Sequence, residues 1–392
     1  MIDALRKQFN ESFTQEKYEA YKQAVAGAAG EAPLFRLAET PVFIPAYFKE
    51  KVLRACEDLI DTITRPDFLS ASEGAIPSHL QFAGDPGYCP LLIFDFGVCR
   101  DEQGTLSPQL IEMQGFPSLY CFQIAQAEAC RKVFEIPPGL DNYIGVSKEE
   151  YIQLLNKTIL DGADPAETIL LDYKPQDQKT RVDFTATKKY LGIDAVCVTD
   201  LKQEGKGLYY LKEGKKQKIS RIYNRLIFDE FFAMKIPCVD LRQDLEVSWV
   251  DHPNWFCRIS KYSLPFITSD FVPDTRFVSD LKNIPEDLQN YVLKPLYSYA
   301  GMGVVIDVTK EDLEKIKDPE NWILQKKVHY HPAIITPDIP AKCEIRMMLI
   351  WESPDKRPRV VHNLARISKG KMIGVRYNAD FSWVGSSTCF FE

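Results

Sequence analysis

The sequence predicts a mixed fold, part α/β and part α+β, in two or three packed lobes. Three observations carry this: a strand, helix, strand rhythm between Thr168 and Arg225, a paired-strand pattern from Leu91 to Gln114, and helical periodicity before residue 90. With 392 residues, 45% of them hydrophobic, the chain can bury a core large enough for that architecture.

Taken in order, Ile2 to Ala29 reads as one helix, and Pro45 to Thr64 as a second with Val52, Leu53, Cys56, Leu59 and Ile60 on one face. Leu91 to Val98 then reads as a strand, followed by the polar turn Asp101-Glu102-Gln103-Gly104 and a second strand from Gln109 to Gln114. A helix follows over Leu119 to Val133. Thr168 to Asp172, the helix Asp183 to Tyr190 and the strand from Ala195 form a βαβ unit, which predicts a parallel sheet. A hairpin turning at Glu213-Gly214 and the strand Arg221 to Arg225 come next. Further on lie the strand Tyr291 to Pro295, the Gly-containing turn 298–303, a strand from Val304, a capping box of Thr309 and Asp312, and the strand Trp322 to Gln325.

Composition narrows the function. No apolar run approaches the roughly 18 residues needed to span a bilayer, and Met1 to Asn10 has no signal-peptide core, so a cytoplasmic protein with no membrane partner is expected. Ten cysteines are scattered singly, which suggests reduced thiols and not a zinc or disulfide framework. The net charge of -7 argues against a nucleic-acid partner, and the basic stretch Lys212 to Lys218 reads as a solvated hairpin.

Two places carry chemistry. Lys294 ends an apolar strand just before a turn of small residues, where glycine lets a backbone approach closely and the ammonium supplies charge. That combination suits phosphate; it also suits an ordinary surface hairpin. Asp95 interrupts a strand of Leu, Ile and Phe, while Glu112 and Gln114, two apart, leave one face of the next strand. A carboxylate among such neighbours needs solvent, an ion-pair partner or a hard cation, so the hairpin is either amphipathic or a divalent-metal site. Neither the dinucleotide fingerprint nor a Walker loop is present.

Read together, Lys294, the turn Ser298 to Gly303, the segment Gln325-Lys326-Lys327-Val328 and the pair Glu344-Ile-Arg346 resemble the ATP-grasp succession of phosphate lysine, glycine-rich loop, adenine hinge and carboxylate-arginine strand. Lys261 resembles the earlier nucleotide lysine of that family. The family's metal strands do not follow; their counterparts stand near the start as Asp95, Glu112 and Gln114, as in the circularly permuted, glutathionylspermidine synthetase-like branch. Gln114 stands where that branch has asparagine. The resemblance implies a helical cap (1–90), a permuted metal-binding part (91–150), a Rossmann-like substrate lobe (151–252) and ATP-grasp nucleotide lobes (253–392).

It further implies that Lys261, Lys294, Ser298, Gly301, Gly303, Gln325, Lys326 and Val328 bind ATP, and that Asp95, Glu112 and Gln114 hold Mg2+. Arg346 and Arg366 are the candidate cations for the charge on the phosphoryl oxygens, or else members of a structural ion pair, and Asn378 adjoins a small-residue stretch that would close over the acyl phosphate. The implied reaction is carboxylate-amine ligation through an acyl phosphate, with a small-molecule acid and amine as partners. A non-catalytic ATP-binding protein and an ATP-grasp phosphotransferase are the alternatives.

Overall fold

The computed structural model describes residues 1–297, 303–371, 373 and 378–392. Among these residues it is a mixed α/β structure with five sheets. The largest is five-stranded and antiparallel, in the spatial order 385–387, 359–368, 342–350, 91–100, 106–114. The hairpin Leu91–Arg100 and Leu106–Gln114 thus extends a sheet whose other strands come from the last fifty or so residues.

The strand Leu91–Arg100 is apolar because both of its faces are covered. Leu92, Phe94, Phe96 and Val98 pack with Val52, Cys56 and Leu59 of helix Ala46–Ile63. On the opposite face Leu91 and Ile93 pack on Tyr120, Cys121 and Ile124 of helix Tyr120–Val133. Asp95 continues this second face, since residues two apart along a strand point the same way.

A four-stranded sheet in the order 248–250, 221–224, 168–172, 194–197 is parallel throughout, as the βαβ rhythm predicts. Asp172, Arg225 and Asp251 lie at the carboxyl ends of its strands, and Asp183 beside them accepts hydrogen bonds from the backbone of Leu119, Cys121 and Phe122. Arg225 donates to Asp183 at 2.5 Å, so this arginine fixes the start of helix Tyr120–Val133. A three-stranded antiparallel sheet, 275–277, 322–326, 291–295, carries Lys294 and Gln325. A small hairpin sheet, 202–204, 207–212 and 215–219, turns through Glu213 and Gly214, both at positive φ. The strand Val42–Ile44 pairs in parallel with Cys389–Phe391.

Two local expectations are corrected. The first helix is broken into Asp3–Ser12 and Gln15–Ala29, because Thr14 takes an extended conformation and its hydroxyl caps the second helix at Lys17. Among the described residues no strand forms from Val304, and an isolated bridge joins Val305 to Leu293. The capping box at Thr309 and Asp312 is present and opens the short helix Lys310–Glu314. Among the described residues no helix is long and apolar enough to cross a membrane.

Candidate functional site

Sheet register assembles the charged cluster. Asp95 lies opposite Glu112 on one side and opposite Arg346 on the other, while Glu344 lies opposite Gly97 and Arg366. A register shift after Asp95 pairs Phe96 with Leu110, leaving Ile111 as the extra residue, and it is this bulge that sets Glu112 across from Asp95.

Arg346 donates from Nε to Asp95 Oδ1 at 2.8 Å and from Nη2 to Asp95 Oδ2 at 2.7 Å. Arg366 Nη2 donates to the same Asp95 Oδ2 and lies 2.5 Å from Glu344 Oε1. Tyr330 donates its hydroxyl to Glu344 Oε2 at 2.8 Å. Gly97 makes this last contact possible, because a Cβ there would come within 2.8 Å of the Tyr330 ring. Gln114 donates its amide to Glu112 Oε1 at 2.6 Å.

Burial pushes the Asp95 carboxyl up, but Arg346 and then Arg366 outweigh it and hold the group at about 2. Glu112 moves the other way: burial pushes it up and the neighbouring Asp95 charge adds to the rise. Two cross-strand carboxyls therefore separate into one that stays ionised and one that favours its proton.

The lysines come from other elements, Lys294 from a strand of the three-stranded sheet and Lys261 from the helical turn Lys261–Phe266. Lys294 is half-buried on the strand Tyr291–Pro295 and donates to Gln325 Oε1 at 2.6 Å. Gln325 lies opposite Val292, two residues before Lys294, so both side chains share a face; its own amide donates to Thr275 Oγ1 at 3.0 Å. Burial lowers the Lys294 pKa, while Glu112 and Glu344 oppose the change. Lys261 donates to the carbonyl of Pro295 at 2.8 Å and to that of Leu296 at 3.3 Å. Burial brings Lys261 down to about 8, against the pull of Glu112 and with the help of Lys294.

Gly115 joins the two halves. Its N-H donates to Ile259 O at 2.9 Å, and a Cβ on it would lie 2.3 Å from Trp255 O, so only glycine lets the end of the Glu112 strand dock two residues from Lys261.

The remaining expected residues are placed as follows. Gly303 has φ +71 and lies against Pro295, where a Cβ would clash at 2.9 Å. Lys326 is exposed and Val328 half-buried at the end of the Gln325 strand. Asn378 is buried, and its side-chain oxygen accepts from Ser368 Oγ and from the backbone of Lys369 and Gly370, which ties the turn after the Arg366 strand. Ser298 and Gly301 lie outside the described residues.

Three members of the cluster were not assigned from sequence. Glu344 stood in a recognised motif without a role. Tyr330 sits between two histidines in a segment with no periodic signal, and Thr275 lies on a three-residue strand too short to show alternation.

The expected magnesium meets a donor set already engaged. Both oxygens of Asp95 and both of Glu344 are taken by Arg346, Arg366 and Tyr330, and one oxygen of Glu112 accepts from the Gln114 amide nitrogen. As folded, these residues fit a guanidinium and not a divalent ion. Among the described residues no group of three His, Cys, Asp or Glu side chains forms a metal set.

No protein-family model matches the chain, and no curated protein matches it in sequence. Among solved structures it is similar to a glutathione synthetase-like effector, GSS30, from Globodera pallida in its apo form, with 13% sequence identity, 97% of each chain covered and a TM-score of 0.56. The chain has a glutathione synthetase-like fold. The likeness extends over both chains almost whole.

Proposed function

We propose that this glutathione synthetase-like chain is an ATP-dependent carboxylate-amine ligase of the circularly permuted ATP-grasp type. The observation that carries the reading is the convergence of Lys261 and Lys294, from beside and within the three-stranded sheet, on Glu112 of the five-stranded sheet, with Glu344 also acting on Lys294. Two lysines, one of them held by Gln325, present fixed positive charge where a nucleotide's phosphates would lie, at the junction of two sheets. Pairing of the Asp95 strand with the Arg346 strand supports the permuted order, and the division at residues 90, 150 and 252 belongs to the same proposal.

In the proposed reaction a substrate carboxylate oxygen attacks the γ-phosphorus of ATP, ADP leaves, and the acyl phosphate forms. An amine then attacks the acyl carbon, expels phosphate and loses a proton. Lys261 and Lys294 would hold phosphoryl oxygens and Arg366, one third exposed, would face the developing charge. Mg2+ belongs to the expectation from sequence, and no step is assigned to it.

The arginine pairing of Asp95 and Glu344 favours a second reading, a non-catalytic nucleotide-binding protein. ADP release measured against a panel of amino acids, short peptides and polyamines separates the two. Release that requires both an acid and an amine supports ligation; ATP binding with no turnover on any pair supports the binding protein, and no ATP binding removes both.

A further inference from the structure

A single nitrogen of Arg366, Nη2, bridges two carboxylates: it contacts Asp95 Oδ2 and lies 2.5 Å from Glu344 Oε1. Bridging two carboxylates brought together from different strands is what a bound divalent ion does. We propose that Arg366 is the built-in cation of this cluster, standing where a metal would stand, so that the site takes a polyphosphate anion without a resident divalent ion. This rests on the nucleotide reading above and departs from the metal dependence that reading would ordinarily carry.

The oxygens make the case. Of the six carboxylate oxygens on Asp95, Glu112 and Glu344, five already accept from Arg346, Arg366, Tyr330 or Gln114. Magnesium asks for near-octahedral oxygen at about 2.0 to 2.1 Å, and acquiring it here means breaking charge-assisted hydrogen bonds that are already formed.

Charge points the same way. Four basic side chains, Arg346, Arg366, Lys261 and Lys294, stand against three acidic ones, Asp95, Glu112 and Glu344. An added divalent cation would be repelled by this set, whereas a polyphosphate would complete it. Strand pairing holds Arg366 in register opposite Glu344 on one side and Ser386 on the other.

The test uses the full chain and two probes. Electron paramagnetic resonance of Mn2+ added without nucleotide should show only free ion with the parent protein. Arg366→Met, which vacates the bridge and leaves the carboxylates in place, should bind Mn2+ at least about tenfold more tightly than the parent; Arg366→Lys, which keeps a cation, should not. Calorimetric titration with ATP should give affinities within about threefold in EDTA and in excess Mg2+.

Mn2+ binding by the parent, failure of a folded Arg366→Met to gain it, or a loss of ATP affinity above about tenfold in EDTA would overturn the proposal. If Arg366→Met does not fold, the two parent measurements decide alone. If ATP binds in neither buffer, the nucleotide reading fails, while the Mn2+ measurement still judges whether Arg366 fills a cation's place.

Discussion

Arg346 and Asp95, 251 positions apart in the chain, face each other on adjacent antiparallel strands and close a two-point ion pair at 2.8 and 2.7 Å. The carboxylate is wholly buried and the guanidinium nearly so. A pair of this kind adds little against an apolar replacement of both partners, yet it is costly to break from one side, because the surviving charge stays buried. Asp95→Asn should therefore cost about 3 to 5 kcal/mol in chemical denaturation. The pH dependence has a definite sign. The folded Asp95 pKa, at about 2, lies below the ordinary value of 3.8, so its contribution is complete above pH 4 and is lost as pH falls towards 2. Parent and variant stability curves should converge at that acid end.

Lys294→Met removes the ammonium and keeps most of the aliphatic stem in place. ATP affinity should fall by about 1.5 to 3 kcal/mol in calorimetric titration, with the melting temperature close to that of the parent. Gln325 would lose its partner on one side and keep Thr275 on the other, so the sheet should persist. Unchanged affinity in the folded variant would take the lysine out of the site.

Lys261, brought down to about 8 by burial, should give nucleotide binding a basic limb. An anion binds the protonated form, so affinity should hold below pH 8, drop by up to about tenfold per unit above the pKa of the free protein, and level off above that of the complex. Titrations from pH 6.5 to 9.5 should bend in that range for the parent and stay flat for Lys261→Arg, whose charge persists throughout.

Glu112 favours its proton in the fold, through burial first and the Asp95 charge second. Its folded pKa lies above the ordinary 4.5, so the stability it contributes is present in acid and lost as pH rises through the folded pKa. Glu112→Gln mimics the protonated form and keeps an oxygen for the Gln114 amide. Denaturation at pH 4.5 and at pH 7.5 should show the variant gaining on the parent at the higher pH. A variant that loses ground there would place an ionised Glu112 in a favourable pair.

Gly115→Ala tests the docking of the two halves directly. The added methyl carbon would lie 2.3 Å from Trp255 O, which is backbone and can move only with its helix. A loss of about 1 to 3 kcal/mol in stability is expected, together with weaker ATP binding as Lys261 shifts away from the Glu112 strand. A variant matching the parent in both would show that the junction is looser than this contact implies.

The sequence by itself determined the elements and much of the site's membership. Alternation, turn residues and the βαβ rhythm marked the hairpin at Asp95, the parallel sheet and the strands of Lys294 and Gln325, because those signals are local: a period, a cap or a turn is written within a few residues. Lys294 and Asp95 could be named for the same reason, each being a charge in an otherwise apolar strand, whereas Arg346 was named only through the family resemblance. Tertiary structure alone decided their pairing. The neutralisation of Asp95 by Arg346 and Arg366 and the Tyr330 contact over Gly97 depend on register between segments more than two hundred residues apart, and the bulge that sets Glu112 opposite Asp95 depends on the pairing within their hairpin. Register is a property of two strands and not of one, and a shift by a single residue would send Asp95 to the opposite face. That is why one sequence pattern was open to a metal site and an arginine-held carboxylate alike, and why only the paired sheet chose between them.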